Sequence, residues 1–202
     1  MRKTKHFIRK IYNKINILRL KNKNFSIIAS NCNGAFILHD LGLKYNTPFI
    51  NLWMKPNDFI KFLSNIRYYL SCEMQFVEEP GISYPVGVLD DVSIYFQHYP
   101  TPKKAKEKWI ERAQRINFDN LFIMFTDRDG CTYQNLKDFE ALPYKNKVVF
   151  THLPYPEFKS ACYIKGFEKE DCVGMCFDYK SNFSIKKYYD DFDYISWFNN
   201  EN

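Results

Sequence analysis

The segment from Phe25 to Ala35 constrains the fold of this chain most, because an apolar run there breaks into Ser30-Asn31-Cys32-Asn33-Gly34 and then re-enters a helical pattern. It predicts a buried strand, a tight turn and a helix. In an open α/β sheet, ligands bind at the carboxyl ends of strands, and the start of the next helix offers unpaired N–H groups. Cys32 is therefore the first candidate for chemistry.

The length of 202 residues suits one well-packed α/β domain. Apolar residues make up 46% of the chain, yet no uncharged apolar run is long enough to cross a membrane. We divide the chain into a basic amphipathic segment, residues 1–23, and a single α/β domain, residues 24–202. Charges and asparagines interrupt the apolar positions of residues 1–23, unlike a secretion signal, so we expect a cytoplasmic protein.

The net charge of +6 comes from the first segment. Residues 1–23 carry nine Lys and Arg and no acid, which leaves 20 basic against 23 acidic residues in the remainder. A protein that grips a nucleic acid needs basic residues across its folded face as well. We therefore expect no nucleic-acid partner.

Apolar residues recur at helical spacing within the basic segment: Phe7, Ile8, Ile11, Ile15 and Leu18. The pattern predicts a basic amphipathic helix. Such a helix can lie on an anionic membrane, here the inner face of the plasma membrane. The alternatives are a helix packed against its own domain and a partly disordered tail.

Strands and helices alternate along the rest of the chain. Leu121 to Thr126 is an apolar run typical of a central strand buried on both faces, and Lys147 to Thr151 predicts a further strand. Val92 to Gln97 alternates apolar and polar residues, which also predicts a strand. Helical patterns between the strands favour a mainly parallel sheet, and so a single three-layer α/β domain, either Rossmann-like or SGNH-like.

Polar clusters follow four of these strands: Asn31 and Cys32, Gln97 and His98, Asp127 and Asp129, and His152. If the four strands are parallel, all four clusters lie along one edge of the sheet. Cys32 and His98 would then form a nucleophile and a base, with the thiol pKa lowered by the helix start. The alternatives are a core cysteine and a structural histidine.

A metal site is a competing use of Asp127, Asp129 and His152, because an Asp-x-Asp pair can hold a divalent cation against a sugar diphosphate. The sequence Asp127-Arg128-Asp129-Gly130 also explains the acids as a turn. We favour the turn and expect no metal. Glycine-rich phosphate loops are absent, so we expect no tightly bound cofactor. The other cysteines are interpreted as reduced core residues: Cys72, Cys131, Cys162, Cys172 and Cys176.

A basic stripe is predicted on the helix that Thr101 and Pro102 begin. Lys108, Arg112 and Arg115 lie at i, i+4 and i+7 along it. The stripe is either an anion clamp or a solvated face that Glu107 and Glu111 neutralise.

Several motifs, in order, resemble a bacterial family known as domain of unknown function 1919. They are Ser30-Asn31-Cys32-Asn33-Gly34, Pro48-Phe49-Ile50, Pro56-Asn57-Asp58-Phe59, Tyr84-Pro85-Val86-Gly87, His98-Tyr99, Lys108-Trp109, Arg112, Arg115-Ile116-Asn117 and Asp119-Asn120-Leu121. The resemblance spans residues 24–199 and implies a role in exopolysaccharide or capsular polysaccharide biosynthesis. More weakly, the Asn-Cys turn after the first strand resembles that of acyl-transferring, polysaccharide-modifying proteins of SGNH-hydrolase-like fold.

These observations lead to one functional expectation, a transferase that decorates a glycan or lipid-linked glycan precursor, with acyl-CoA as co-substrate. Cys32 is its nucleophile or oxyanion-side residue, His98 its base, and Asn31 with N–H groups near Gly34 its oxyanion hole. The phosphate clamp comprises Lys108, Arg112 and Arg115. Further binding residues are Asn33, Gly34, Trp109, Asp127 and His152. The alternatives are metal-dependent glycosyl or phosphoglycosyl transfer and a non-enzymatic assembly protein of a polysaccharide machine.

Overall fold

Four parallel strands form the main sheet of the computed structural model, which describes residues 2–201 and the side chains of residues 4–201. The strands are β1 (Ser26–Ala29), β5 (Leu121–Thr126), β6 (Lys147–Thr151) and β7 (Ala161–Tyr163), in the spatial order β1-β5-β6-β7. The prediction of a mainly parallel sheet is confirmed. Three of the four strands that the sequence analysis placed in it are present, β1, β5 and β6, and the fourth strand of the observed sheet is β7.

Both faces of this sheet are buried, as the apolar run in β5 predicts. Ile123 and Phe125 belong to one hydrophobic core, and Phe122 and Met124 belong to a second core on the opposite face. Alternate side chains of a strand point to opposite faces, so β5 supplies both cores at once.

Three shorter strands form a separate antiparallel sheet: β2 (Gln75–Val77), β3 (Val86–Leu89) and β4 (Val92–Tyr95). The expectation that the strand before His98 joins the parallel sheet is therefore wrong. Asp90 and Asp91 form a two-residue hairpin turn, and Asp90 adopts a left-handed φ of 55°. This turn pairs β4 with its immediate neighbour β3 instead.

The helices are α1 (Arg2–Arg19), α2 (Asn33–Asp40), α3 (Pro56–Ser64), α4 (Ile66–Ser71), α5 (Pro102–Ala113), α6 (Tyr133–Ala141) and α7 (Tyr194–Phe198). Thr101 caps α5 through the N–H of Lys104, as predicted. Thr132 and Asn135 form a capping box on α6. Asn65 ends α3 and precedes α4, so the two helices are separated by this one residue.

Helix α1 packs on the domain through its polar side. Arg9 is buried and its guanidinium lies 2.5 Å from a carboxylate oxygen of Asp190 and 2.6 Å from one of Asp40. Asn16 is also buried and donates from Nδ2 to the hydroxyl of Tyr194 at 3.0 Å. Of the alternatives for the basic segment, packing against its own domain is the one observed. No helix within residues 2–201 has the length and apolar character needed to cross a membrane.

Candidate functional site

A cleft of about 380 Å³ opens where β1 and β5 end. Polar and aromatic side chains line it: Asn31, Cys32, Asn33, Trp53, Tyr84, Gln97, His98, Arg128, Asp129, Met175 and Phe177. A second hollow of about 340 Å³ adjoins it and shares Trp53 and Asp129. The cleft therefore lies at the edge of the sheet where open α/β domains bind ligands.

Cys32 and His98 both line this cleft, and the sequence did not indicate the route that brings them there. The segment from Asn51 to Met54 bridges the two sheets: the N–H of Met54 donates to Ser30 at 2.9 Å, just after β1. Trp53 exchanges two backbone hydrogen bonds with Tyr95 of β4, and the N–H of His98 donates to Asn51 at 3.4 Å. A connecting segment thus holds the end of β4 beside the end of β1.

Cys32 immediately precedes α2, and its side chain is half-buried. Its sulfur lies 3.9 Å from the carbonyl oxygen of Leu52. Burial raises the pKa of the Cys32 thiol, and the opposing effects of backbone hydrogen bonds and of the Arg128 charge are smaller. The net shift is upward, opposite to the lowered thiol pKa that the sequence analysis expected. The resting thiol is neutral.

Asn31 fixes the turn. Its Nδ2 donates to the hydroxyl of Thr126 at 2.8 Å, and its Oδ1 accepts from the N–H of Asn33 at 3.2 Å. These bonds join the ends of β1 and β5 and hold the turn that leads into α2. Because both ends of the amide are engaged, Asn31 is a positioning residue for Cys32 in this structure.

Asn33 carries an unsatisfied polar atom beside the cleft. The side chain is 2% exposed, and its Oδ1 has no hydrogen-bond partner among residues 2–201. A buried amide oxygen without a partner costs roughly 1–3 kcal/mol. Oδ1 of Asn33 is thus a buried acceptor without a donor, in a residue that also lines the cleft.

Gly34 has a packing role. A Cβ at this position would lie 3.0 Å from both Cβ of Ala29 and Cγ2 of Ile27 on β1. Glycine therefore lets α2 approach the strand closely, which sets the position of Cys32 at the start of the helix.

Arg128 is a cleft residue that sequence analysis missed as a site residue. Its guanidinium lies 3.1 Å from the sulfur of Met175 and forms no ion pair with any carboxylate in the described chain. The sequence did carry a signal for this residue, because Arg128 lies between Asp127 and Asp129 directly after β5. The aromatic wall of Trp53, Tyr84 and Phe177 was also missed, because these residues come from irregular segments far apart in sequence.

Asp127 and His152 do not line the cleft. Asp127 is 5% exposed, its Oδ2 accepts from the N–H of His152, and its Oδ1 accepts from the N–H of Val173 at 2.8 Å. Both carboxylate oxygens are thus occupied by protein donors. The predicted binding roles of Asp127 and His152 give way to a structural one. Among the described residues, no group of three His, Cys, Asp or Glu is arranged to hold a metal ion.

The four residues predicted on α5 lie away from the cleft lining. Trp109 is buried in the core against Phe49. Lys108 and Arg115 both contact the carboxylate of Glu111. Arg112 donates to the hydroxyl of Tyr99 at 2.6 Å. This hydroxyl donates in turn to the carbonyl oxygen of Ile50 at 3.0 Å. A phosphate clamp on α5 therefore has no geometric support here.

Comparison with known proteins identifies the family. A family model described as domain of unknown function (DUF1919) matches residues 3–199. The chain belongs to this family. A relative from Haemophilus influenzae, described as an uncharacterized protein, is 53% identical over 181 residues, which cover 90% of this chain and 87% of the relative. In this DUF1919 chain, the cleft unites four predicted site residues: Asn31, Cys32, Asn33 and His98.

Proposed function

We propose that the cleft is the active site of a cytoplasmic group-transfer enzyme that modifies a glycan precursor of surface or capsular polysaccharide. The donor we favour is an acyl thioester. The observation that supports this proposal is the convergence of Cys32, His98 and the unsatisfied amide of Asn33 in one cleft. A nucleophile and a base are two of the parts that acyl transfer needs, and the unpartnered Oδ1 of Asn33 is an acceptor that a donor group of a ligand could satisfy.

The cleft walls suit a sugar-containing ligand. Trp53 is stacked on Tyr95 at 4.1 Å between ring centroids, and its Nε1 donates to the hydroxyl of Tyr84 at 3.2 Å. Rigid aromatic faces pack against the C–H faces of sugar rings, while the neighbouring amide of Gln97 can bond sugar hydroxyls. This combination favours a glycan acceptor.

Arg128 takes over the anion-binding role that the sequence assigned to α5. Its guanidinium faces the cleft and is not neutralised by a carboxylate of the described chain. Arginine binds phosphate through paired N–H groups. We propose that Arg128 binds the phosphates of the donor or of a lipid-linked acceptor.

The proposed reaction has two steps. The Cys32 sulfur attacks the thioester carbonyl carbon as His98 accepts the thiol proton. The carbon–sulfur bond to CoA then breaks, and His98 returns the proton to the departing CoA sulfur. In the second step a sugar hydroxyl attacks the acyl-enzyme carbonyl, His98 accepts the hydroxyl proton, and the bond to the Cys32 sulfur breaks. His98 gives this proton to the Cys32 sulfur, which restores the thiol. Because the resting thiol is neutral, the first step requires a base.

The test uses the purified chain with acetyl-CoA and a panel of glycan acceptors, with released CoA measured by chromatography. We expect Cys32→Ala and His98→Ala to abolish release. When the native chain is incubated with acetyl-CoA but no acceptor, we expect peptide mass spectrometry to find Cys32 acetylated. Cys72→Ala and His39→Ala are matched controls, since neither residue lines the cleft. Undiminished release in both cleft variants would overturn the mechanism.

The two other functional hypotheses have separate tests. Metal-dependent glycosyl or phosphoglycosyl transfer predicts thermal stabilisation by a nucleotide sugar with Mg²⁺, although both oxygens of Asp127 already serve protein donors. A non-enzymatic assembly protein predicts no turnover with any donor. Assignment of the domain to the Rossmann-like or the SGNH-like class stays a prediction.

A further inference from the structure

The apolar side of α1 faces solvent. Five large apolar side chains are exposed along it: Phe7, Ile8, Ile11, Ile15 and Leu18. Leu18 is 85% exposed and Phe7 is 63% exposed. They recur at intervals of three and four, so they form one continuous stripe along the helix. A soluble domain ordinarily turns such a stripe toward its core.

The docking of α1 explains this orientation. Arg9 and Asn16, which bind the domain, lie seven residues apart on the opposite side of the helix from the stripe. The buried ion pairs of Arg9 with Asp190 and Asp40 leave the helix no freedom to roll its apolar side inward. The exposure is therefore built into the fold.

Positive charge accompanies the stripe. Lys10 and Lys14 are exposed beside it and form no ion pair with the described residues. Residues 1–23 contain no acidic side chain. Apolar side chains together with uncompensated lysines on one helix are what a surface-lying helix needs to enter a negatively charged bilayer interface.

We propose that the outer side of α1 docks on an anionic lipid bilayer, with the helix lying in the plane of the interface. This inference does not depend on the chemistry proposed for the cleft. A second copy of the chain fits less well, because a two-fold interface would bring Lys10 and Lys14 of each copy against the same surface of the other.

The test is vesicle co-sedimentation of the full chain at low and high salt. We expect binding to vesicles that contain about 30% phosphatidylglycerol, weaker binding at 0.5 M salt, and little binding to pure phosphatidylcholine. Ile11→Glu with Ile15→Glu is expected to abolish binding. Lys10→Gln with Lys14→Gln is expected to weaken it about 25-fold, since each lysine near an anionic surface contributes about fivefold.

The matched control is Ile110→Glu, an exposed isoleucine on α5, which is expected to leave vesicle binding unchanged. Circular dichroism melts of all variants verify that α1 stays docked through Arg9. Two results would overturn the proposal: equal affinity of the native chain for neutral and anionic vesicles, or no binding to either. Concentration-dependent dimers that Ile11→Glu disrupts, without vesicle binding, would assign the surface to a second copy instead.

Discussion

Asp127 holds His152 at two points with a single oxygen. Oδ2 accepts the backbone N–H of His152 at 2.7 Å and lies 2.6 Å from its ring Nδ1. The other oxygen accepts from Val173. One buried carboxylate therefore ties the end of β5 to the end of β6 and to the loop that carries Met175 and Phe177 into the cleft.

Asp127→Ala is expected to destabilise the chain by about 3–5 kcal/mol, because it leaves several buried donors without an acceptor. Urea unfolding followed by fluorescence measures the change. Asp129→Asn, at an exposed turn position with a left-handed φ of 60°, is the control and should cost less than about 0.5 kcal/mol. Equal losses in both variants would contradict the structural role of Asp127.

Cys32 is expected to react slowly with iodoacetamide at neutral pH, because burial raises its pKa and keeps the thiol protonated. Its rate should keep rising above pH 9. Arg128→Gln removes a charge that lowers this pKa, so the variant should react more slowly still at each pH. Mass spectrometry of the individual cysteine peptides separates Cys32 from the others. A faster rate in Arg128→Gln would show that the arginine shields the sulfur instead.

Gly34→Ala is expected to destabilise the chain by about 1–3 kcal/mol, because the new methyl group would meet Ala29 and Ile27 at 3.0 Å. Moving α2 off β1 also displaces Cys32, so turnover should fall further than stability alone predicts. Denaturant titration and CoA release, measured on the same preparation, separate the two effects.

Arg9→Met is expected to cost about 3–5 kcal/mol, because it leaves the buried carboxylate of Asp190 without its cation and leaves Asp40 paired with Lys187 alone. Lys10→Met, one residue along on the exposed side, should stay within about 0.5 kcal/mol. Chemical denaturation gives both values, and limited proteolysis reports whether α1 has detached. An Arg9→Met variant with the same free energy of unfolding as the native chain would contradict this account of helix docking.

The pKa of Asp40 gives the direction of the acid response. Burial raises this pKa. Hydrogen bonds from Tyr189 and Arg9 and the charge of Lys187 lower it by a larger amount, so the pKa in the folded state lies below the ordinary value. Its contribution to stability is therefore complete above about pH 4 and is lost as the pH falls through the folded value. Asp40→Asn should be less stable at pH 7 and show a shallower loss between about pH 4 and pH 2. Denaturant midpoints across that range test it.

The parallel sheet was predictable because its strands have recognisable local sequence patterns. Leu121 to Thr126 is apolar throughout and lies buried on both faces, and the break at Ser30 to Gly34 does produce a strand, a turn and a helix. Cys32 was likewise placed at the cleft by its position after β1. Local hydrophobic pattern and turn chemistry suffice for these features.

The remaining parts of the site depend on long-range contacts that no local pattern encodes. His98 reaches the cleft through hydrogen bonds with a segment nearly fifty residues earlier, and Phe177 arrives on an irregular loop. The predicted stripe had helical spacing, but Arg115 lies two residues past the end of α5, and Glu111 pairs with both Lys108 and Arg115. A helical pattern alone does not reveal which side of a helix meets the domain, as α1 also demonstrates.

The ion pair between Arg9 and Asp190 joins residues 181 positions apart. At a ribosomal rate of about 5–20 residues per second, roughly 10–35 s separate the synthesis of these two partners. Helix α1 is made before every strand of the sheet, and its anchor emerges after all of them. During that interval Arg9 has only its nearer partner, Asp40, so the docking contacts of α1 are completed after the whole sheet has been synthesised.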